Sequence, residues 1–253
     1  MTAAAMKNFP IIHAVTDSAA VTHDDFAARA LGIMRALGPR GALHLRSSRA
    51  SGKELYDLAK TLITFQRGTG CWLIVNDRVD VAMSTGAKGV QLASHSLGIA
   101  DAKLVAPELL LGASVHTVEE AVEAEAAGAS WCVAGTVFET PSHMGRVPAR
   151  VDFIEQVCKA VKIPVIAIGG IRPEDVPSLK QAGAHGIATI RGAGWEHGIE
   201  VPTDEDALLK TRAPVLNDAG FLEPIRRYIS EYDSDSGSGR NDHPDGERSP
   251  EGA

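Results

Sequence analysis

Polar side chains that could do chemistry follow one apolar run after another along this sequence. They comprise cations, acids, hydroxyls, histidines and glycine turns. A guanidinium suits planar recognition of carboxylate or phosphate, imidazole titrates near neutral pH, and glycine lets a ligand approach the backbone closely. Together these groups predict a site for a small anionic ligand, with proton transfer as a further option. In chain order they are His44, Arg46, Asn76, Asp77, Gln91, Ser114, Thr136, Glu139, Thr140, Ser142, His143, Gly169, Gly170, Arg191 and Gly192.

The stretch PVIAIGGIRPEDV contains one of these glycine turns. The apolar, β-branched run Val165–Ile168 stops at Gly169 and Gly170, and Pro173 suits the first turn of a following helix. A strand, two glycines and a helix N-terminus offer backbone N–H groups to an anion. An ordinary tight turn between a strand and a helix has the same pattern, so both interpretations stay open at this point.

The elements that must position these groups alternate regularly along the chain. Strands alternating with helices predict a parallel sheet, and eight such units predict a single-domain (β/α)8 TIM barrel, with a doubly wound open sheet as the alternative. The predicted strands are Ile11–Thr16, Ala42–Leu45, Trp72–Val75, Gly89–Leu92, Leu110–Val115, Trp131–Val137, Val165–Ile168 and Gly186–Ile190. The predicted helices include Asp25–Leu37, Gly52–Phe65, Val118–Ala127, Phe153–Val161 and Pro173–Ala182.

In such a barrel the chemistry lies at the carboxyl ends of the strands, and glycines after strands seven and eight are a common phosphate site. Gly169, Gly170, Arg191 and Gly192 occupy those places. We therefore predict that these four residues bind a phosphate.

The ends of the chain differ in composition from its middle. Residues 1–8 are expected to be frayed or disordered, residues 9–232 form the barrel, and the polar residues 233–253 are expected to be disordered because they cannot bury enough apolar surface. Phe221–Tyr232 is the candidate closing helix, with Pro224 in its first turn. The segment between Ile190 and this helix has little periodicity.

Composition describes a soluble globular protein, with 44% hydrophobic and 23% charged residues among 253. The formal net charge of -7 gives no reason to expect nucleic acid as a partner. No apolar stretch is long enough to span a membrane, and no signal peptide is evident. Three cysteines without CxxC spacing fit a reducing cytoplasm.

Several motifs resemble one known family. HAVTD, LHLR, VNDRVDVA, IPVIAIGGI and the long stretch GASVHTVEEAVEAEAAGASWCVAGTVFETPSHMG are similar to the thiamine phosphate synthase/TenI superfamily, from Phe9 to Gly192. The resemblance implies a (β/α)8 barrel that acts in thiamine synthesis and binds a small phosphorylated thiazole. A homodimer is our expectation for the assembly.

The superfamily contains two activities. The synthase joins hydroxymethylpyrimidine diphosphate to thiazole phosphate with magnesium and releases diphosphate, whereas TenI-type proteins aromatise a carboxythiazole phosphate by moving a proton without metal. Against the synthase pattern, two lysines and one metal-binding aspartate are replaced, by Ser48, His143 and Ser96 respectively. Asp77 remains as the one metal carboxylate, so the resemblance favours the metal-free tautomerase, with no cofactor, and Mg²⁺ at Asp77 only if the protein is a synthase.

The tautomerase interpretation needs an acid or base. TenI-type proteins can carry a histidine where this chain has Thr136, whose hydroxyl is too weak an acid for the task. We predict that His143 moves the proton, with Glu139 orienting it, although His143 could also be a solvated loop residue. His44 and His116 are the substitutes.

The remaining candidates are predicted to bind substrate. Arg46 and Ser114 would face the thiazole ring or its carboxylate, although Arg46 could instead form an ion pair with Asp77 or Glu139. Asn76 and Asp77 could instead cap the following helix. The other predicted substrate-binding residues are His44, Gln91, Thr140 and Ser142. A thiamine phosphate synthase, a non-catalytic regulator that binds thiazole or thiamine phosphate, and a barrel with another phosphorylated substrate stay open as alternatives.

Overall fold

The computed structural model describes residues 8–139, 150–195 and 219–234. Within them, eight parallel strands close into a barrel in which each strand pairs with its neighbours in the chain and β8 pairs with β1. This confirms the predicted (β/α)8 TIM barrel and excludes the open sheet. The strands are β1 (Ile12–Val15), β2 (Gly41–Leu45), β3 (Trp72–Asn76), β4 (Gly89–Leu92), β5 (Leu110–Val115), β6 (Trp131–Gly135), β7 (Val165–Ile168) and β8 (Gly186–Thr189).

Helices follow the strands on the outside of the barrel, and their apolar faces pack on it. Those in the described ranges are α1 (Phe26–Leu37), α2 (Gly52–Thr69), α3 (Val79–Thr85), α4 (Ile99–Val105), α5 (Val118–Ala126), α6 (Arg150–Ala160), α7 (Val176–Gln181) and α8 (Ala219–Asp233). Short 3-10 helices cover Ala20–Thr22, Gly38–Arg40, Pro173–Asp175 and Arg191–Ala193. No helix in the described ranges is long and apolar enough to cross a membrane.

The predicted elements are present, with three kinds of difference. The predicted helix Pro173–Ala182 is a 3-10 turn, Pro173–Asp175, followed by the shorter α7. Strands β1, β6 and β8 end before the apolar runs do, because Thr16, Val137 and Ile190 already belong to the loops that leave the barrel. The short helices α3 and α4 were not among the predicted ones, since a seven-residue helix has too few turns to show periodicity.

Helix α8 closes the barrel, as expected of the segment that contains Phe221–Tyr232. It begins before Phe221, so Pro224 lies inside the helix and the prediction that Pro224 occupies the first turn is wrong. The Tyr228 hydroxyl donates to the carbonyl of Ile171 at 2.7 Å. Asp233, the last residue of α8, pairs with Arg40 at 2.6 Å.

The inside of the barrel is apolar at the amino ends of the strands. Phe9 precedes β1 and packs its ring against Trp72 and Trp131, at centroid distances of 5.3 and 5.6 Å. Further buried residues of this interior cluster are Val15, Ala42, Ile74, Val133, Ile166 and Ala188. The three aromatic rings therefore fill the barrel interior near the amino ends of the strands.

Candidate active site

Arg46 leaves the end of β2 with its backbone clamped to β1. The buried Thr16 hydroxyl donates to the carbonyl of Arg46 and accepts from its N–H, both at 2.8 Å. The guanidinium is exposed, and within the described residues it forms no ion pair with Asp77 or Glu139. The alternative of a surface ion pair is therefore not supported, and the cation stays available to a ligand.

Ser48 lies beside Arg46 in a cluster of hydroxyls. Its Oγ is 3.0 Å from Oγ of Ser18, and its N–H donates to the same Ser18 oxygen at 3.0 Å. Ser47 donates to Ser18 at 3.2 Å. The place of the synthase pattern's lysine is thus neutral and already hydrogen-bonded within the chain.

Asp77 follows β3 in a left-handed backbone conformation, with φ of 65°. Its Oδ1 accepts a short hydrogen bond from the Ser96 hydroxyl, which itself accepts from the N–H of Ala93 at 3.0 Å. The residue at the N-cap of α3 is Arg78, and no side chain caps that helix. The interpretation of Asn76 and Asp77 as helix caps is therefore wrong, and Asp77 keeps Oδ2 without a partner among the described residues.

The oxygen atoms around Asp77 fit a magnesium ion that is held mainly by substrate. No group of three or more His, Cys, Asp or Glu in the described ranges could hold a metal alone. Asp77 supplies one carboxylate, Ser96 supplies a hydroxyl oxygen, and Oδ1 of Asn76 is buried without a hydrogen-bond partner in the described part of the chain. Mg²⁺ commonly takes one or two carboxylates and completes its shell with water and substrate phosphates.

Ser114 is held at the end of β5 by a buried chain of hydrogen bonds. The indole N–H of Trp131 donates to Oε1 of Gln91 at 2.7 Å, and Nε2 of Gln91 donates to Oγ of Ser114 at 3.0 Å. Gln91 is 3% exposed. The structure therefore places Gln91 behind Ser114, where it orients that hydroxyl, while Ser114 itself is only half-buried.

His44 points into the barrel, where a second histidine meets it. Nδ1 of His13 and Nε2 of His44 are 2.8 Å apart, and His44 is 2% exposed. Burial lowers the pKa of His44 to about 4, and burial together with the neighbouring His44 lowers the pKa of His13 well below its ordinary value. The lowered pKa values favour the neutral form of both rings.

The sequence analysis did not identify His13 as a candidate site residue, although the alternation of residues in β1 indicated one. His13 and Val15 alternate with Ile12 and Ala14, so a polar residue among the inward-facing positions of β1 could have been recognised.

Two further histidines lie outside this interior. His116 is exposed just before α5, and its N–H donates to the Glu120 carboxylate at 2.5 Å while Thr117 caps the helix. His95 is exposed, with Nε2 3.9 Å from Oδ1 of Asp77. Among these two, only His95 approaches another candidate site residue.

The loop after β6 lies over the glycine turn after β7. A Cβ on Gly170 would lie 2.5 Å from the carbonyl oxygen of Glu139, and one on Gly169 would overlap Thr136. Both glycines have positive φ, 108° at Gly169 and 64° at Gly170. The close approach that these glycines permit is therefore made by the protein's own chain.

Only some of the predicted catalytic residues lie in the described part of the chain. Thr136 is half-buried and Glu139 exposed. Thr140, Ser142 and His143 lie outside the described residues, so their roles stay predictions.

Donors for an anion remain at the ends of β7 and β8. The N–H groups of Gly169 and Gly170 donate to no acceptor in the described part of the chain, and the guanidinium of Arg191 is exposed. The N–H of Gly192 already donates to Oγ1 of Thr189 at 3.1 Å. A Cβ on Gly192 would lie 2.5 Å from the Tyr228 hydroxyl, so the need for glycine there comes from α8.

The described chain forms a closed parallel barrel with a cation, a carboxylate and N–H groups without partners in the described part at the carboxyl ends of its strands. These features define a TIM-barrel protein whose groups suit a small anionic ligand. The family model TMP-TENI, thiamine monophosphate synthase, matches residues 12–193, and the chain belongs to that family.

Relatives and a solved structure agree with this assignment. A thiamine-phosphate synthase from Chlorobium luteolum is 40% identical over 183 residues, covering 72% of this chain and 84% of the relative. The thiamine-phosphate synthase of Pyrococcus abyssi is 37% identical over 168 residues, covering 66% and 81%. The structure of thiamine phosphate pyrophosphorylase from Pyrococcus furiosus matches with a TM-score of 0.68 and 30% identity, covering 90% of this chain and 98% of that one.

Proposed function

We propose that this protein is a thiamine phosphate synthase, which joins hydroxymethylpyrimidine diphosphate to thiazole phosphate and releases diphosphate. The relatives named above support the synthase better than the tautomerase that the sequence favoured. The structural observation that carries the proposal is the Asp77 carboxylate, whose Oδ1 accepts from the Ser96 hydroxyl and whose Oδ2 has no partner among the described residues. A carboxylate held in this way suits a metal that binds together with a phosphorylated substrate.

Each group at the carboxyl end of the barrel has a task in this reaction. Diphosphate leaves with the electron pair of the bond that breaks, so the site must stabilise growing negative charge. Arg46 would supply a cation for it. Mg²⁺, when bound, would supply further positive charge to the leaving group, with Asp77 and Ser96 as its protein contacts.

The second substrate carries a single phosphate. We assign this phosphate to the N–H groups of Gly169 and Gly170 and to the side chain of Arg191, where the described chain leaves donors without partners. Ser114, held by Gln91, would contact a substrate ring. The two substrates then lie on opposite sides of the barrel mouth, with their reacting atoms between.

One observation supports a second candidate function. Ser48 and Ser96 make the site less charged than the synthase pattern requires, and both hydroxyls are engaged within the chain. A metal-free thiazole tautomerase would tolerate this loss, with the proton moved by His143 or Glu139.

The cysteines support a cytoplasmic location. Cys71, Cys132 and Cys158 are unpaired thiols. Burial raises the pKa of the Cys132 thiol to about 12 and that of Cys158 to about 11, so neither forms a reactive thiolate at neutral pH. Unpaired, unreactive thiols suit a reducing compartment.

A pair of carboxylate variants tests the synthase proposal. Asp77→Asn should lower diphosphate release at least a hundredfold and weaken its dependence on Mg²⁺, because the one metal carboxylate is lost. Asp80→Asn is the matched control, since Asp80 lies three residues away on α3 and pairs with the exposed Arg78. Equal rates for Asp77→Asn and the wild type would refute the assigned role of Asp77.

A further inference from the structure

Helix α8 carries two tyrosines, one helical turn apart, that contact opposite ends of the barrel. Tyr228 is 3% exposed, and its hydroxyl donates to the carbonyl of Ile171 at 2.7 Å, in the turn after β7. The Tyr232 hydroxyl donates to the carbonyl of His185, the residue before β8. Tyr228 therefore lies at the end of the barrel that carries the site. Helix α8 itself lies outside residues 12–193, which match the family model.

The Tyr228 hydroxyl also reaches the turn after β8. A Cβ on Gly192 would lie 2.5 Å from this hydroxyl oxygen and 2.6 Å from Oγ1 of Thr189. The N–H of Gly192 donates to that Oγ1 at 3.1 Å. Burial raises the pKa of the Tyr228 hydroxyl, so the hydroxyl keeps its proton at neutral pH and can donate. One buried hydroxyl therefore lies against the turns that follow both β7 and β8.

These two turns carry the groups to which we assign the single phosphate of the second substrate. Gly170 directly precedes Ile171, and Arg191 directly precedes Gly192. The register pairs between β7 and β8 end before either turn begins, so strand pairing does not set the distance between the turns. Hydrogen bonds weaken steeply as their distance and angle change. Donors on two turns can therefore bind one phosphate only while the distance between the turns is kept.

We propose that Tyr228 and Thr189 are positioning residues, which hold the turns after β7 and β8 at the spacing that one phosphate group needs. Tyr228 fixes the carbonyl of Ile171, and Thr189 fixes the N–H of Gly192. Ala188 belongs to the interior cluster, so Thr189, the next residue of the strand, faces outwards to α8. Both residues thus act from outside the barrel. Their role rests on the phosphate that we assign to these turns as part of the proposed function.

Titration of the ¹⁵N-labelled protein with inorganic phosphate measures this positioning directly. Binding is followed at the backbone amide signals of Gly169 and Gly170, in the wild type and in each variant. Tyr228→Phe keeps the buried ring and removes only the hydroxyl, so the turn after β7 loses its bond to α8. We expect the Kd for phosphate to rise about fivefold, the effect of one weakened neutral hydrogen bond.

Tyr232→Phe is the matched control, because it removes the same group from the same helix at the opposite end of the barrel. Both variants lose a bond between α8 and a backbone carbonyl, so both test the effect of a weaker attachment of the helix. Only Tyr228→Phe should change the Kd for phosphate. Equal Kd values for the two variants would overturn the proposal. A wild type whose Gly169 and Gly170 signals do not respond to phosphate would also overturn it.

Two variants of Thr189 test the other turn, and they decide the matter if Tyr228→Phe does not fold. Thr189→Val keeps the branched shape but has no acceptor for the N–H of Gly192, so the Kd for phosphate should rise about fivefold. Thr189→Ser keeps the hydroxyl and should restore the Kd to within about twofold of the wild-type value. A Thr189→Val variant that binds phosphate as well as the wild type would contradict the proposal.

Kinetics test the link to the second substrate. Tyr228→Phe should raise KM for thiazole phosphate about fivefold, with little change in kcat. KM for the pyrimidine diphosphate should stay near the wild-type value, because Arg46 and Asp77 follow β2 and β3, which pair with neither β7 nor β8. An equal rise in both KM values would overturn the positioning role. If the wild type has no synthase activity, the proposed function fails, while the phosphate titrations still decide the role of Tyr228.

Discussion

The hydroxyl of Ser96 donates a hydrogen bond to Oδ1 of Asp77, and this bond ties the loop after β4 to the end of β3. The serine lies where the synthase pattern has a second metal-binding aspartate. It therefore orients the remaining carboxylate without adding charge. The presence of serine in place of that aspartate should therefore affect the metal affinity of this site most.

Ser96→Asp should strengthen the metal site. A second carboxylate beside Asp77 adds charge and an oxygen ligand, so the Mg²⁺ concentration for half-maximal diphosphate release should fall by about tenfold. Ser96→Ala, which loses the hydrogen bond without adding charge, is the control and should need more Mg²⁺ than the wild type. The account is contradicted if Ser96→Asp needs as much Mg²⁺ as Ser96→Ala.

Arg46→Ala should weaken binding of the diphosphate substrate. The guanidinium is exposed and without an ion pair among the described residues, so its removal should leave the melting temperature within about 1 °C of the wild type. Loss of one charge-assisted contact should raise KM by about tenfold or more. Arg49→Ala removes another exposed cation from the same loop and should change neither quantity. Equal KM values for the two variants would remove Arg46 from the site.

Gly170→Ala should destabilise the fold as well as the phosphate site. The φ of 64° strains an alanine, and the new Cβ would lie 2.5 Å from the carbonyl oxygen of Glu139. We expect a loss of about 2–4 kcal/mol in the free energy of unfolding, from backbone strain and overlap together. Gly86→Ala is the matched control, because Gly86 has a φ of 79° and no atom near its missing Cβ. Equal losses in urea unfolding would show that the loop after β6 does not pack on Gly170.

Acid should destabilise the protein through the interior histidines. The pKa of His44 is about 4 in the fold and 6.5 as an ordinary imidazole. Between these values the unfolded chain binds a proton that the folded chain does not, so the free energy of unfolding falls as pH drops from 6.5 to 4. The contribution of His44 is roughly 3 kcal/mol.

Urea unfolding across this pH range measures the effect. His44→Gln should flatten the dependence, whereas replacement of the exposed His116 by Gln should leave it unchanged. A wild-type protein as stable at pH 4.5 as at pH 6.5 would show that the buried pair accepts protons readily.

The barrel was predictable from sequence because each strand is a continuous apolar run and both faces of a parallel barrel strand are buried. The sequence also identified candidate site residues because they follow such runs, namely Asp77, Arg46 and Gly170. The hydrogen bonds among them were not predictable. His13 looked like part of an apolar strand, and the partner of Asp77, the Ser96 hydroxyl, comes from a different loop. The glycines after β7 indicated space for a ligand, but the loop after β6 occupies part of that space. This contact joins residues that are far apart in the chain.

The most direct test of the proposed function follows product formation by this protein with three substrates. Hydroxymethylpyrimidine diphosphate and thiazole phosphate are supplied together with Mg²⁺, and carboxythiazole phosphate is supplied alone with EDTA. The account predicts thiamine phosphate and diphosphate in equal amounts from the pair, no product when EDTA replaces Mg²⁺, and no aromatisation of the carboxythiazole. Metal-free aromatisation of the carboxythiazole, with no thiamine phosphate from the pair, would contradict it.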